Sequence, residues 1–155
     1  MAQRTICTLT LIAWAIAACA CLEAQDGNTI TVKLLEGKNG EAVTPSNIVV
    51  RIDRQDEAHN EWVRMNDDGT AVVTIPVDAK QISVQATYDS SMETFVNCDA
   101  AKEKERYTPH WYAIADILKA GMVTPNECGK TRTSAKPGEF IFFVRKRDWR
   151  DLPMN

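Results

Sequence analysis

Residues 82–88 read Ile82-Ser83-Val84-Gln85-Ala86-Thr87-Tyr88. Side chains on an extended chain point alternately to opposite faces, so Ile82, Val84, Ala86 and Tyr88 share one face while Ser83, Gln85 and Thr87 share the other. Such a segment is a strand with one packed face and one wet face. Working upstream, Ala71 to Ile75 forms another strand, stopped by Pro76. Before it, Asn66-Asp67-Asp68-Gly69 is a hairpin turn, because Asn, Asp and Gly tolerate positive φ. Trp62 to Met65 forms the partner strand, and core packing is the simplest role for Trp62. Further back, Ile48, Val50 and Ile52 share a face, as do Ile30, Val32 and Leu34, with Gly37-Lys38-Asn39-Gly40 turning the chain between the two runs.

Downstream the pattern changes. Phe95-Val96-Asn97 is a short strand piece, and from Asp99 to Lys136 a charged stretch leads into Ile114, Ile117 and Leu118 at helical spacing. Gly121 is placed to cap that helix. Glu139 to Arg147 supplies the last strand, in which Phe140, Phe142 and Val144 alternate with Ile141 and Phe143. Apolar residues on both faces predict a central strand. Short strands separated by turns predict a mainly β fold, an antiparallel sandwich of about six or seven strands with one short helix.

The N-terminus differs from all of this. Arg4 precedes an apolar, alanine-rich run from Ile6 to Ala20, the order of a cleavable secretory signal peptide over residues 1–24. Cleavage is expected after Ala24, with Ala20 as an alternative. Ile16-Ala17-Ala18-Cys19 also matches a lipobox, in which Cys19 would carry a lipid anchor. The run ends at Glu23, short of the roughly 20 apolar residues a membrane span needs. Residues 25–155 then form one domain of secreted or periplasmic destination.

Cys7, Cys19 and Cys21 belong to the leader, which leaves Cys98 and Cys128 of the five cysteines. In an oxidising compartment their pairing is the default, two buried thiols being the alternative. A bridge there would close the helical excursion at its base and stabilise the fold by about 3.5 kcal/mol through loop closure.

The order of segments from Ile30 to Ala86 resembles the carboxypeptidase regulatory-like and transthyretin-like domains, the prealbumin-like sandwich. The carrying residues are Val32-Lys33-Leu34-Leu35-Glu36-Gly37-Lys38-Asn39-Gly40-Glu41-Ala42-Val43, Asn66-Asp67-Asp68-Gly69-Thr70-Ala71-Val72-Val73-Thr74-Ile75-Pro76 and Ile82-Ser83-Val84-Gln85-Ala86. The resemblance implies a noncatalytic module accompanying enzymes or surface proteins, and it brings no site residue with it. The helical, cysteine-closed insertion after Tyr88 departs from the family pattern.

Catalytic patterns are sparse. His59 sits in a polar loop and His110 beside Trp111, without a Gly-x-Ser-x-Gly elbow or a His-Glu-x-x-His motif. The acidic turn at Asn66–Gly69 lacks the further ligands and terminal Glu of a calcium loop. The net charge of −3 and the interspersed basic residues argue against nucleic acid, and Arg145-Lys146-Arg147 reads as a solvated strand end. The expected function is therefore a noncatalytic binding or structural module of the cell envelope, without cofactor, whose partner is a protein or a polysaccharide. Two alternatives stay open. His110, Trp111 and Tyr112 would form an exposed aromatic platform for a glycan, or His59 and His110 would serve a small metal-dependent hydrolase.

Overall fold

The computed structural model describes residues 28–45, 47–53, 60–89, 92–93, 95–99 and 109–148. Residues 1–27, with Cys7, Cys19 and Cys21, and also His59, Trp149 and Arg150 lie outside them, so the signal peptide expected over 1–24 and the lipid anchor at Cys19 fall outside the described residues. The elements in chain order are β1 (Asn28–Glu36), β2 (Asn47–Ile52), β3 (Glu61–Arg64), β4 (Thr70–Ile75), β5 (Gln81–Asp89), β6 (Met92–Glu93), β7 (Phe95–Asn97), β8 (Tyr112–Ala113), α1 (Ile114–Ala120), β9 (Met122–Val123) and β10 (Glu139–Lys146).

Two sheets form the layers. The first runs β4-β1-β10-β7 and the second β3-β2-β5-β6, with β9 added to β10 and β8 added to β5. The expected antiparallel sandwich needs correction on direction, because β1 pairs in parallel with β10 from Thr31 opposite Glu139 to Glu36 opposite Val144, and β9 is also parallel to β10. Parallel neighbours require long crossovers rather than hairpins. Here β1 and β10 are the first and last strands, so no tight turn constrains their relative direction. The count also exceeds six or seven, since β6, β8 and β9 are two-residue segments too short to leave an alternation in the sequence.

Both sheets finish their far edge in the same way, with two short strands and a side chain filling the gap between them. Along β10, β9 pairs at Phe140 and Ile141 and β7 at Val144 to Lys146. Between them the Thr124 hydroxyl accepts the Phe143 N–H at 3.3 Å, and the Cys98 N–H donates to the Phe143 carbonyl at 2.9 Å. Along β5, β8 pairs at Gln81 and Ile82 and β6 at Tyr88 and Asp89. There the Asn97 amide accepts from the Ala86 N–H at 3.3 Å and donates to the Val84 carbonyl at 3.1 Å. Asn97 belongs to β7 of the opposite sheet, so its side chain stitches the two layers together. These bonds meet the demand that buried backbone groups find partners where no strand is present.

The inward faces match the alternation read from the sequence. Ile30, Val32, Leu34, Ile48, Val50, Ile52, Ala71, Val73, Ile75, Ile82, Val84 and Ala86 form one core with Phe140, Phe142 and Val144. Helix α1 adds Ile114 and Ile117 to it, and Gly121 ends the helix at φ 75° with its N–H on the Ile117 carbonyl. The two-sided character of β10 has a specific cause. Its outward residues Ile141 and Phe143 form a second cluster with Leu35 and Cys98, against which Val123, Cys128 and Ala135 pack. Each fully buried phenylalanine of β10 stabilises the fold by roughly 1.5–3 kcal/mol.

Trp62 does not pack in the core as expected. It is 53 % exposed on β3, opposite Val49. The period of two explains the position, since Val63 faces inward and packs on the core, which turns Trp62 outward.

Candidate functional site

The segment 122–138 returns across the outer face of the first sheet, and its attachment is built from short, directional contacts. Cys98 and Cys128 form the disulfide expected from the sequence, spanning 30 residues with Cα atoms 5.3 Å apart. Next to the bridge, the Asn126 side chain donates to the carbonyls of Gly37 at 2.8 Å and Thr131 at 3.1 Å, while its oxygen accepts the Gly129 N–H at 3.1 Å. The Thr131 hydroxyl donates to the Lys38 carbonyl at 3.1 Å, and the Glu127 N–H to the Cys98 carbonyl at 2.9 Å.

Two glycines allow this approach. A Cβ at Gly129 would lie 2.1 Å from the Gly37 carbonyl oxygen, and one at Gly37 would lie 2.9 Å from the Cys128 Cβ. The turn after β1 and the returning segment therefore interlock backbone to backbone. Beside this joint lies a groove of about 710 Å³, with Val123, Pro125 and Phe143 as apolar lining and Lys130, Arg132 and Thr133 among the polar residues. No acidic residue lines it among the described residues. Lys130 and Arg132 are exposed and take part in no hydrogen bond or ion pair among the described residues.

A second assembly joins residues that the sequence reading singled out with one that it missed. The Asp99 carboxylate, its side chain only 2 % exposed, accepts a 2.5 Å hydrogen bond from the Tyr112 hydroxyl and lies 3.5 Å from His110 Nδ1. Asp99 follows the disulfide cysteine at the end of β7, and Tyr112 opens β8 opposite Ile82. The Tyr112 ring stands edge-on to Phe140 and Phe142, with centroids 5.0 and 6.2 Å away. Burial pushes the Tyr112 phenol well above its usual range, and the hydrogen bond to Asp99 and the carboxylate charge push it the same way. The phenol therefore remains a neutral donor, committed to holding a buried carboxylate.

His110 and Trp111 are half-buried beside this assembly, and His110 retains 30 % side-chain exposure. Of the three residues proposed as a platform, Tyr112 has its hydroxyl on Asp99 and its ring on the core. No group of three or more metal-ligating side chains occurs among the described residues. Asp99 carried no signal in the sequence, because it lies eleven positions from His110 and only the folded chain brings them together. The groove was equally hidden, since no local pattern in the sequence singles out Lys130 or Arg132.

No family model, curated protein or solved structure matches this chain.

Proposed function

We propose that the chain is a noncatalytic module of the extracytoplasmic space, exported by its leader, which binds a polysaccharide or protein of the cell envelope through the groove beside the Cys98–Cys128 bridge. The observation that carries this reading is the contrast in how polar groups are used. In the segment around the groove, Asn126, Thr131 and Thr124 are committed to the backbone, whereas the side chains of Lys130 and Arg132, on the same hydrogen-bonded segment, have no partner among the described residues. A frame already held by its own hydrogen bonds needs no further ordering when a ligand arrives, so the entropic cost falls on the two cationic side chains alone.

Export is supported by the leader pattern and by the disulfide, which suits an oxidising compartment. Likeness to the carboxypeptidase regulatory-like and transthyretin-like domains remains part of the proposal, supported by the two-sheet architecture. One contact favours a second reading. His110 beside the buried Asp99 has the orientation partner that a hydrolytic base uses, so a small hydrolase acting through His110 is the rival.

Two measurements test the proposal. The mass of the exported protein, with and without reductant, should give a chain that begins near residue 25 and gains two hydrogens on reduction. Titration with purified envelope polysaccharide, followed by amide shifts, should perturb residues around 123–133 and leave the polysaccharide intact. Turnover of the ligand that disappears in His110→Ala would establish the hydrolase instead.

A further inference from the structure

We infer that the groove is a site for an anionic oligosaccharide, one carrying uronate or sulfate groups. This inference rests on the binding-module reading above and specifies its ligand. The chain as a whole is acidic, with a formal net charge of −3, yet the groove is lined by Lys130 and Arg132 and, among the described residues, by no acid. A cationic recess on an anionic molecule selects its ligand by charge, because the remaining surface repels what the recess attracts.

The chemistry of the lining narrows the class. Arg132 offers a planar fork that matches a carboxylate or sulfate with two hydrogen bonds, and Lys130 adds a point charge. Thr133 adds a hydroxyl that can donate or accept. Exposed Pro125 and half-buried Val123 supply apolar surface for a ring face, whereas Phe143 is buried at the groove's base. The groove of about 710 Å³ falls within the small-molecule range of roughly 300–1,000 Å³, enough for a short stretch of sugar chain.

Rival classes fit less well. A protein partner needs a large patch centred on apolar or aromatic anchors, and the large exposed hydrophobic residues, Trp62, Val72 and Val77, line no part of the groove. A nucleic acid would require a longer track of cations.

The test titrates the exported, oxidised protein with four probes of matched length: an oligogalacturonate, a sulfated oligosaccharide, a neutral oligosaccharide and a polyglutamate peptide. Binding of one or both charged oligosaccharides is expected, weakening with salt, and the stronger of the two identifies the anion. In Lys130→Ala/Arg132→Ala that affinity should fall about tenfold, while Arg64→Ala/Lys80→Ala, which removes the same charge from exposed positions on the side of the second sheet, should change it less than about twofold. Equal losses in the two double variants would overturn the site. Binding of the neutral oligosaccharide as tightly as the charged ones would overturn the anionic class while leaving a binding groove. Tighter binding of polyglutamate than of either charged oligosaccharide would overturn the glycan assignment. If neither charged oligosaccharide binds, the inference fails, whereas the module reading is judged separately by the envelope polysaccharide.

Discussion

Gly129→Ala should be among the most damaging single-methyl additions in this protein, for a reason visible only at the joint between two distant segments. The new Cβ would lie 2.1 Å from the Gly37 oxygen, 2.8 Å from the Gly37 carbonyl carbon and 3.0 Å from the Lys38 Cα, all of them backbone atoms. No flexible side chain can move aside. Relief requires the two backbones to part by about 1 Å, a shift that forfeits hydrogen bonds at a cost of about 1 kcal/mol each. Three are at stake, from Asn126 to the Gly37 carbonyl, from Gly129 to Asn126 and from Thr131 to the Lys38 carbonyl. The expected loss is therefore about 3 kcal/mol, or a fall in Tm of about 10 °C for a domain of this size. Gly138→Ala provides the control. Its φ of 81° strains any side chain, but the nearest atom to a new Cβ is 4.0 Å away, so it should cost only about 1 kcal/mol. Thermal and denaturant unfolding of both oxidised variants gives the comparison. A Gly129→Ala protein as stable as Gly138→Ala would refute the docking of the returning segment on the turn after β1.

Removing the bridge by Cys98→Ala/Cys128→Ala should cost about 3.5 kcal/mol at 25 °C from loop closure over the 30-residue separation, read as the same difference between oxidised and reduced wild-type protein in denaturant titrations. A difference near zero would mean that the excursion is held by its other contacts alone. Tyr112 has a folded-state pKa above its unfolded value, so its contribution to stability is complete below about pH 10 and is lost as pH rises beyond that. In an alkaline titration followed by phenolate absorbance, one of the three tyrosines should ionise only together with unfolding. That late step should vanish in Tyr112→Phe, and its persistence there would contradict the assignment. Strand β4, Thr-Ala-Val-Val-Thr-Ile, is an uncharged, proline-free segment that pairs only with β1 among the described strands, and its Val72 is 57 % exposed. Such an edge invites intermolecular pairing. Val72→Lys should change stability by less than about 0.5 kcal/mol while raising the concentration at which heated protein aggregates. Unchanged aggregation would place the liability elsewhere.

Much of the sandwich was legible because its signals are local. Alternation at Ile30–Leu34, Ile48–Ile52 and Ile82–Ala86 named the inward residues, Asn66–Gly69 marked a turn, and Gly121 marked the end of a helix. The apolar residues on both faces of Glu139–Lys146 correctly placed that strand inside a sheet. Trp62 was misjudged because hydrophobicity alone does not say which face of a short strand a residue occupies; the inward position of Val63 does.

What a local pattern cannot carry is the relation between segments far apart in the chain. Alternation is identical for parallel and antiparallel neighbours, so the parallel pairing of β1 with β10 had no trace in either strand. The same holds for the side chains that stand in for missing strands at Asn97 and Thr124, whose bonding depends on which backbone groups the final sheets leave unpaired. The Gly37–Gly129 joint links positions more than ninety residues apart, and the Asp99–Tyr112 bond depends on where an excursion returns. Side-chain periodicity and the presence of Cys98 and Cys128 pointed to a mainly β fold with one short helix and a disulfide. The groove, the buried carboxylate and the direction of the last strand were decided by tertiary packing, because each exists only between segments that the fold brings together.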